Sequence, residues 1–327
     1  LQEKICDYDG VTQTLENLIR KTQGKLENSV ERLLSLAQTY WKKVGKVEDA
    51  IRVYRSVVKK DKQNTTALDA LEILLEQTQN WKELAEVLKI KLNTLEDNDQ
   101  IFKLQCKIAG IFNDKLHRGD LTIKHYERAL AIFPNDLPTI HKLELVYGDW
   151  GQSQKLVDLY TKEIELQKDN KERIVELYCN IARLWNKRLF NNHKAVEIYN
   201  KVLEIDLGHQ FASDNLISLL THLKKWDELL ELLSKLIKFA SDNNSIDKEI
   251  ELCLKAGKIQ RDIGKAKEAI ESYQRVLELE EYHQEAFSAL EQLYLRQNSF
   301  EEMVEILEEK VSLVKDKKAG IKIQITL

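Results

Sequence analysis

What most constrains this chain is that it repeats itself. Ala37 is followed by Ala109, Ala182 and Ala256, at intervals of 72, 73 and 74 residues. Tyr54 recurs as Tyr126, Tyr199 and Tyr273 at the same intervals, and Trp81 is matched by Ser153, Trp226 and Phe300. A shorter step lies inside each unit. Ala50 to Leu84, Thr122 to Leu156, Ala195 to Leu229 and Ala269 to Met303 are each 34 apart, and the next unit follows after 38, 39 or 40. The repeating unit is a doublet, with one segment of 34 residues and one slightly longer. A chain of this kind builds its core locally, each segment burying its apolar face against its neighbours in sequence.

One copy, residues 31–61, shows what a segment is. Leu33, Leu36, Ala37 and Tyr40 fall on one face at helical spacing, and Ala50, Val53, Tyr54, Val57 and Val58 fall on another. Gly45 lies between them, so the segment is two amphipathic helices joined by a short turn. Two prolines and eleven glycines in 327 residues leave no linker-like break between globular domains. The register places the doublets at residues 26–95, 96–167, 168–240 and 241–314. Residues 1–25 are then a partial N-terminal hairpin, and 315–327 the start of a further, truncated repeat. Val11, Leu15, Leu18 and Ile19 at one end, and Ile321, Ile323, Ile325 and Leu327 at the other, are apolar faces in need of cover. End-to-end self-association is therefore expected.

The residue order resembles the tetratricopeptide repeat. Its first half is matched by Leu33, Leu36, Ala37 and Tyr40, and again by Tyr178, Ile181, Ala182 and Trp185. Its second half is matched by Ala50-x3-Tyr54, Ala195-x3-Tyr199 and Ala269-x3-Tyr273. Leu68, Leu71, Glu72 and Leu75 take the same places in an intervening hairpin. The resemblance implies an all-α, right-handed superhelical solenoid of antiparallel helix pairs. It also implies a non-catalytic protein–protein interaction scaffold, holding a partner peptide or helix in a concave groove lined by the first helix of each hairpin. Carried onto this chain, the groove includes Leu34, Gln38 and Trp41, then Cys106, Gly110 and Asn113, then Cys179, Arg183 and Asn186, then Cys253, Gly257 and Gln260. The partner-binding candidates are Leu34, Gln38, Trp41, Asn113, Arg183, Asn186 and Gln260. Glu72, Glu144, Ile217 and Glu291 depart from the family's small residue, so helices there are expected to approach less closely. The family's proline survives as Pro134 alone, and its Lys/Asn carboxylate clamp is absent. The doublet pattern is similar to that of large multi-repeat assembly proteins.

The remaining chemistry is sparse. No G-x-G-x-x-G, phosphate-binding loop or serine elbow occurs, so no catalytic residue, cofactor or metal is expected. Cys106, Cys179 and Cys253 share one repeat position, which two hairpins at a time hold too far apart for disulfides. They are expected to be apolar filler, which suits a reducing compartment and favours the cytoplasm. His209 and His283, 74 apart, are structural by the same logic. His141 and Glu144 make a lone H-x-x-E pair, short of the two that a di-iron bundle needs, and are expected to be coincidental. Trp41 and Trp150 fit no core position and are candidate contacts. With 50 basic and 54 acidic residues and no basic stripe, nucleic acid is an unfavoured partner. A helical-repeat RNA binder or RNA-processing scaffold remains the alternative. No long apolar run suggests membrane insertion.

Overall fold

The computed structural model describes residues 26–313 together with Gly10, Thr12, Gln13, Thr14 and Asn17. Cys6 and the apolar residues named at both chain ends lie outside the described residues. The described part is helical, with no strand in it. It divides into two compact units, one ending at Leu166 and one beginning at Gln167.

The first unit contains α1 (Leu26–Gln38), extended by a π-helical turn (Thr39–Val44), then α2 (Val47–Lys60), α3 (Thr65–Gln77) and α4 (Trp81–Leu92). It continues with α5 (Asn98–Asp114), α6 (Gly119–Ile132), α7 (Leu137–Asp149) and α8 (Ser153–Leu166). The second unit contains α9 (Lys171–Lys187), α10 (Asn192–Ile205), α11 (Gln210–His222) and α12 (Trp226–Asp242). It continues with α13 (Ile246–Asp262), α14 (Ala266–Leu279), α15 (Gln284–Gln297) and α16 (Phe300–Leu313). Within each unit every helix packs on the one before it and the one after it, an all-α stack of antiparallel hairpins.

The repeated residues are the core of that stack. Ala37, Ala109, Ala182 and Ala256 are all buried, as are Tyr54, Tyr126, Tyr199 and Tyr273. A methyl side chain on the first helix lets the second approach, and the tyrosine ring fills the space between one hairpin and the next. Where glutamate or isoleucine replaces the small residue, the pairs α3–α4, α7–α8, α11–α12 and α15–α16 lie less closely together than the first hairpins do. Glu72 there reaches a lysine on the facing helix instead of making room for it.

The turns repeat as closely as the core. In the second hairpins Gln79, Gly151, Lys224 and Asn298 all have left-handed backbone, with φ from 54° to 64°. In each, the next N–H donates back to a carbonyl of the preceding helix: Asn80 to Leu75, Gln152 to Tyr147, Lys225 to Leu220 and Ser299 to Tyr294. That bond closes the helix end by satisfying a carbonyl that has lost its helical partner. The first hairpins use Gly45, His117, Phe190 and Gly264 in the same conformation. Helix starts repeat too. Asn64, Asp136, His209 and His283 occupy one repeat position, and each accepts a bond from the N–H three residues on. The two histidines thus act as N-caps through Nδ1, at 3.2 and 3.4 Å.

Two substitutions test this packing. Ala182→Trp should destabilise the second unit by about 1–3 kcal/mol or more, because an indole cannot enter a fully closed helix crossing; an unchanged melting curve would contradict the crossing. Phe190→Gly should do the opposite. Phe190 is 83% exposed and holds φ at 50°, a conformation that costs a side-chain-bearing residue roughly 1–2 kcal/mol. Glycine should recover about 1 kcal/mol of it, read as a higher Tm.

Candidate functional site

The outward faces of the first helices carry the candidate residues. On α1, Gln38 is exposed, while Leu34 is half-buried and packs against the core. Trp41, in the π-helical turn, also packs on the edge of that core, with the Lys42 ammonium 5.5 Å from its ring centre. It is therefore part core, contrary to the sequence expectation. On α5, Asn113 is half-buried and its Nδ2 donates to Asp114 Oδ1 at 2.8 Å. These four belong to the first unit, and Arg183, Asn186 and Gln260 to the second.

Arg183 is exposed on α9, its guanidinium 5.3 Å from the ring centre of Phe211 on α11. That contact keeps a partly exposed ring beside a fixed positive charge. Asn186 is half-buried. Gln260 turns inward. In the orientation that satisfies its neighbours, its amide nitrogen donates to Ser272 Oγ at 2.7 Å, Glu268 O at 3.0 Å and Ala256 O at 3.2 Å. It lines a recess between α12, α13 and α14, beside the ion pair of Arg275 with buried Glu249.

Several positions assigned to the groove are core instead. Cys179 and Cys253 are buried, and burial pushes each thiol up to about 11. Cys106 is half-buried, with Sγ 3.5 Å from Thr139 Oγ1. Gly257 is buried as well. A Cβ there would meet the Tyr273 ring at 2.9 Å, so its bare α-carbon is a packing requirement.

What the sequence reading missed is the matching face of the second hairpins. The register that puts Leu68, Leu71, Glu72 and Leu75 in the repeat pattern also puts Ile73 in the place of Gln38, and Leu145 follows 72 residues later. Ile73 on α3 is 46% exposed and Leu145 on α7 is 69% exposed. The signal was the repeat itself, followed here for one hairpin in two. Gly148, three residues beyond Leu145 on α7, and Gly110 on α5 each have open space where a Cβ would stand. Neither has a positive φ to explain it. Trp150, at the end of α7, lies over Gly119, where an added Cβ would come within 1.9 Å of the ring. It is half exposed and is held by that contact.

Charges on these faces are mostly compensated locally. Lys91 and Lys107 both bond Glu72. Burial alone would raise the Glu72 carboxyl, but the two lysines outweigh it and hold it below its ordinary range. His141 on α7 meets Glu163 of α8, with Nε2 3.1 Å from Oε1. Glu144, the other half of the sequence pair, lies in the same cluster, and Glu163 is the third member that the pair did not announce.

Family comparisons agree with the geometry. Tetratricopeptide repeat models match residues 33–66, 175–209 and 250–283. These segments are the hairpins α1–α2, α9–α10 and α13–α14, each running into the loop or helix that follows. The chain therefore contains tetratricopeptide repeats, a kind of repeat that supports an interaction scaffold. No curated protein matches it. Among solved structures, YrrB, described as a TPR protein with an unusual peptide-binding site, is 17% identical. It covers 65% of this chain and 99% of its own, with a TM-score of 0.32. MamA is 21% identical over 54% of this chain and 91% of its own, with a TM-score of 0.32. The C-terminal part of a TPR repeat-containing protein from Cytophaga hutchinsonii is 12% identical over 79% and 99%, with a TM-score of 0.36. No helix among the described residues is long and apolar enough to cross a membrane.

The glycines give a paired test. Gly110→Ala should stabilise the chain by roughly 0.5–1 kcal/mol, since a helix-interior glycine carries that penalty and the site has room, and Gly148→Ala, at the last turn of α7, should stabilise it by less. Gly119→Ala should destabilise it, because the added Cβ must displace the Trp150 ring. Thermal melts of the three variants decide the signs.

Proposed function

We propose that this chain binds a peptide or helix of a partner protein along the outward faces of its first helices, as a non-catalytic part of a larger assembly. The observation that carries the reading is the pair Ile73 and Leu145. Two large aliphatic side chains stand exposed at equivalent positions of successive doublets in one unit. Exposed apolar groups repeated in register suit a partner that itself repeats, such as an amphipathic helix. Gly148 keeps the surface beside Leu145 low, which lets a partner backbone come close. In the second unit Phe211, with Arg183 beside it, offers an aromatic contact of the type enriched at binding hot spots. Leu34, Gln38, Trp41 and Asn113 are the further candidates of the first unit, and Asn186 and Gln260 those of the second.

The faces do not carry the basic stripe that an RNA-binding groove would need. Asp69, Glu76, Asp214 and Glu285 lie on them, and Arg183 is the basic residue among the candidates.

The test is affinity capture with the full chain as bait, compared with the double variant Ile73→Glu/Leu145→Glu. Both positions are exposed, so the variant should fold with an unchanged melting curve. The partner captured by the parent should be lost or reduced at least about tenfold, the penalty for desolvating a new charge in an apolar contact. Equal capture by parent and variant would overturn the reading. A salt-dependent mobility shift with RNA would favour the RNA-binding alternative.

A further inference from the structure

One contact place between helices recurs in every doublet with its chemistry changed. In the first doublet Arg55 of α2 spans to α4, where its Nε and Nη2 both donate to the Glu83 carboxylate. In the second the charges are reversed. Glu127 of α6 meets Lys155 of α8 at 2.8 Å, and Tyr147 of α7 donates its hydroxyl to the same carboxylate oxygen, also at 2.8 Å. In the fourth, Gln274 of α14 takes the place, and its Nε2 donates to Tyr294 Oη of α15 at 3.1 Å. The third doublet holds Asn200 in the place of Arg55, Leu220 in the place of the two tyrosines and Glu228 in the place of Glu83. The carboxylate is kept, and the arginine that met it is not. Between α10 and α12 there lies a recess of about 430 Å³.

We propose that this recess takes an arginine side chain from a partner's peptide, which supplies from outside the guanidinium that Arg55 supplies within the chain. Its volume lies in the range of ligand pockets. Leu203, Leu220 and Leu232 are buried and form an apolar floor, suited to the methylene stem of a long basic side chain. Glu204, Glu228 and Glu231 line it with Lys235, three carboxylates against one ammonium. Glu228 has a partner of its own, Lys225 at 2.8 Å. Glu83 likewise accepts from Asn80, the residue in the place of Lys225, and takes Arg55 as well. A carboxylate has about four acceptor positions, so a bond at the helix start leaves room for a guanidinium. Lys235 meets Glu231 one turn away on its own helix, an exposed pair of the kind that contributes little. Arginine suits the site better than lysine, because its fork reaches both oxygens of one carboxylate. The recess opens between two second helices, so the inference stands apart from the partner reading of the first-helix faces.

The experiment uses the full chain and a labelled peptide, Leu-Ala-Arg-Ala-Leu with blocked ends, followed by fluorescence anisotropy at low ionic strength. The comparison peptide carries citrulline, which has the shape of arginine without its charge. The parent should bind the arginine peptide at least about fivefold more tightly than the citrulline peptide. Glu228→Gln should remove that preference. Asn200→Arg should remove it too, with a Tm no lower than the parent's, because it rebuilds within the chain the Arg55–Glu83 bridge of the first doublet. Glu172→Gln, at an exposed carboxylate of α9, should keep the parent's preference. Equal binding of both peptides by the parent, or binding of neither, overturns the proposal. So does a preference that survives Glu228→Gln, or one that Glu172→Gln removes. Should Asn200→Arg lower the Tm, Glu228→Gln at its exposed position still decides.

Discussion

The close crossing of two helices at a buried alanine is the interaction on which the rest of the structure depends. Ala37, Ala109, Ala182 and Ala256 leave no side chain to hold the helices apart, and the tyrosines at 54, 126, 199 and 273 fill the volume beyond them. Backbone approach sets how each hairpin is closed, and the tyrosine sets how the next one sits against it. Helix packing geometry follows from side-chain size at the contact, so a repeated small–large alternation repeats the geometry. Nothing further in the core needs to be specified over long distances.

The hairpin turns obey a backbone rule more strictly than a sequence rule. Every turn places one residue in the left-handed region, yet the residue is glycine at 45, 151 and 264 and something else at 79, 117, 190, 224 and 298. The hydrogen bond that closes the helix end requires the conformation, and glycine is merely its least strained occupant. The caps behave likewise. Asn64, Asp136, His209 and His283 share a position because each offers an acceptor to the same N–H. Chemistry unrelated by residue type is equivalent by role.

The second hairpins trade close approach for polar contact. Glutamate in place of the small residue loosens the helix pair and then finds a lysine across the gap, as Glu72 does with Lys91 and Glu291 with Lys310. The looser pairs are where the repeats differ from one another, because an ion pair constrains its neighbours less than a buried van der Waals contact. Individuality is concentrated at those second hairpins and on the exposed faces beside them.

By itself the sequence determined the repeat, the helical hairpins and the residues at their core, since periodicity and side-chain size act locally and are visible residue by residue. It also carried the resemblance to the tetratricopeptide repeat, and it marked Arg183 and Gln38 as positions on first helices. Tertiary structure decided what no spacing could. Cys179 and Cys253 went into the core, Gly257 came to lie against the Tyr273 ring, and Gln260 turned toward Ser272. Trp41 was drawn to the edge of the core, and Trp150 came to rest on Gly119. Glu163 joined His141 and Glu144 from a different helix, nineteen residues beyond Glu144, a distance at which sequence carries no sign of contact. A helix shows which residues share its face, but what lies opposite that face is fixed only when the next helix packs.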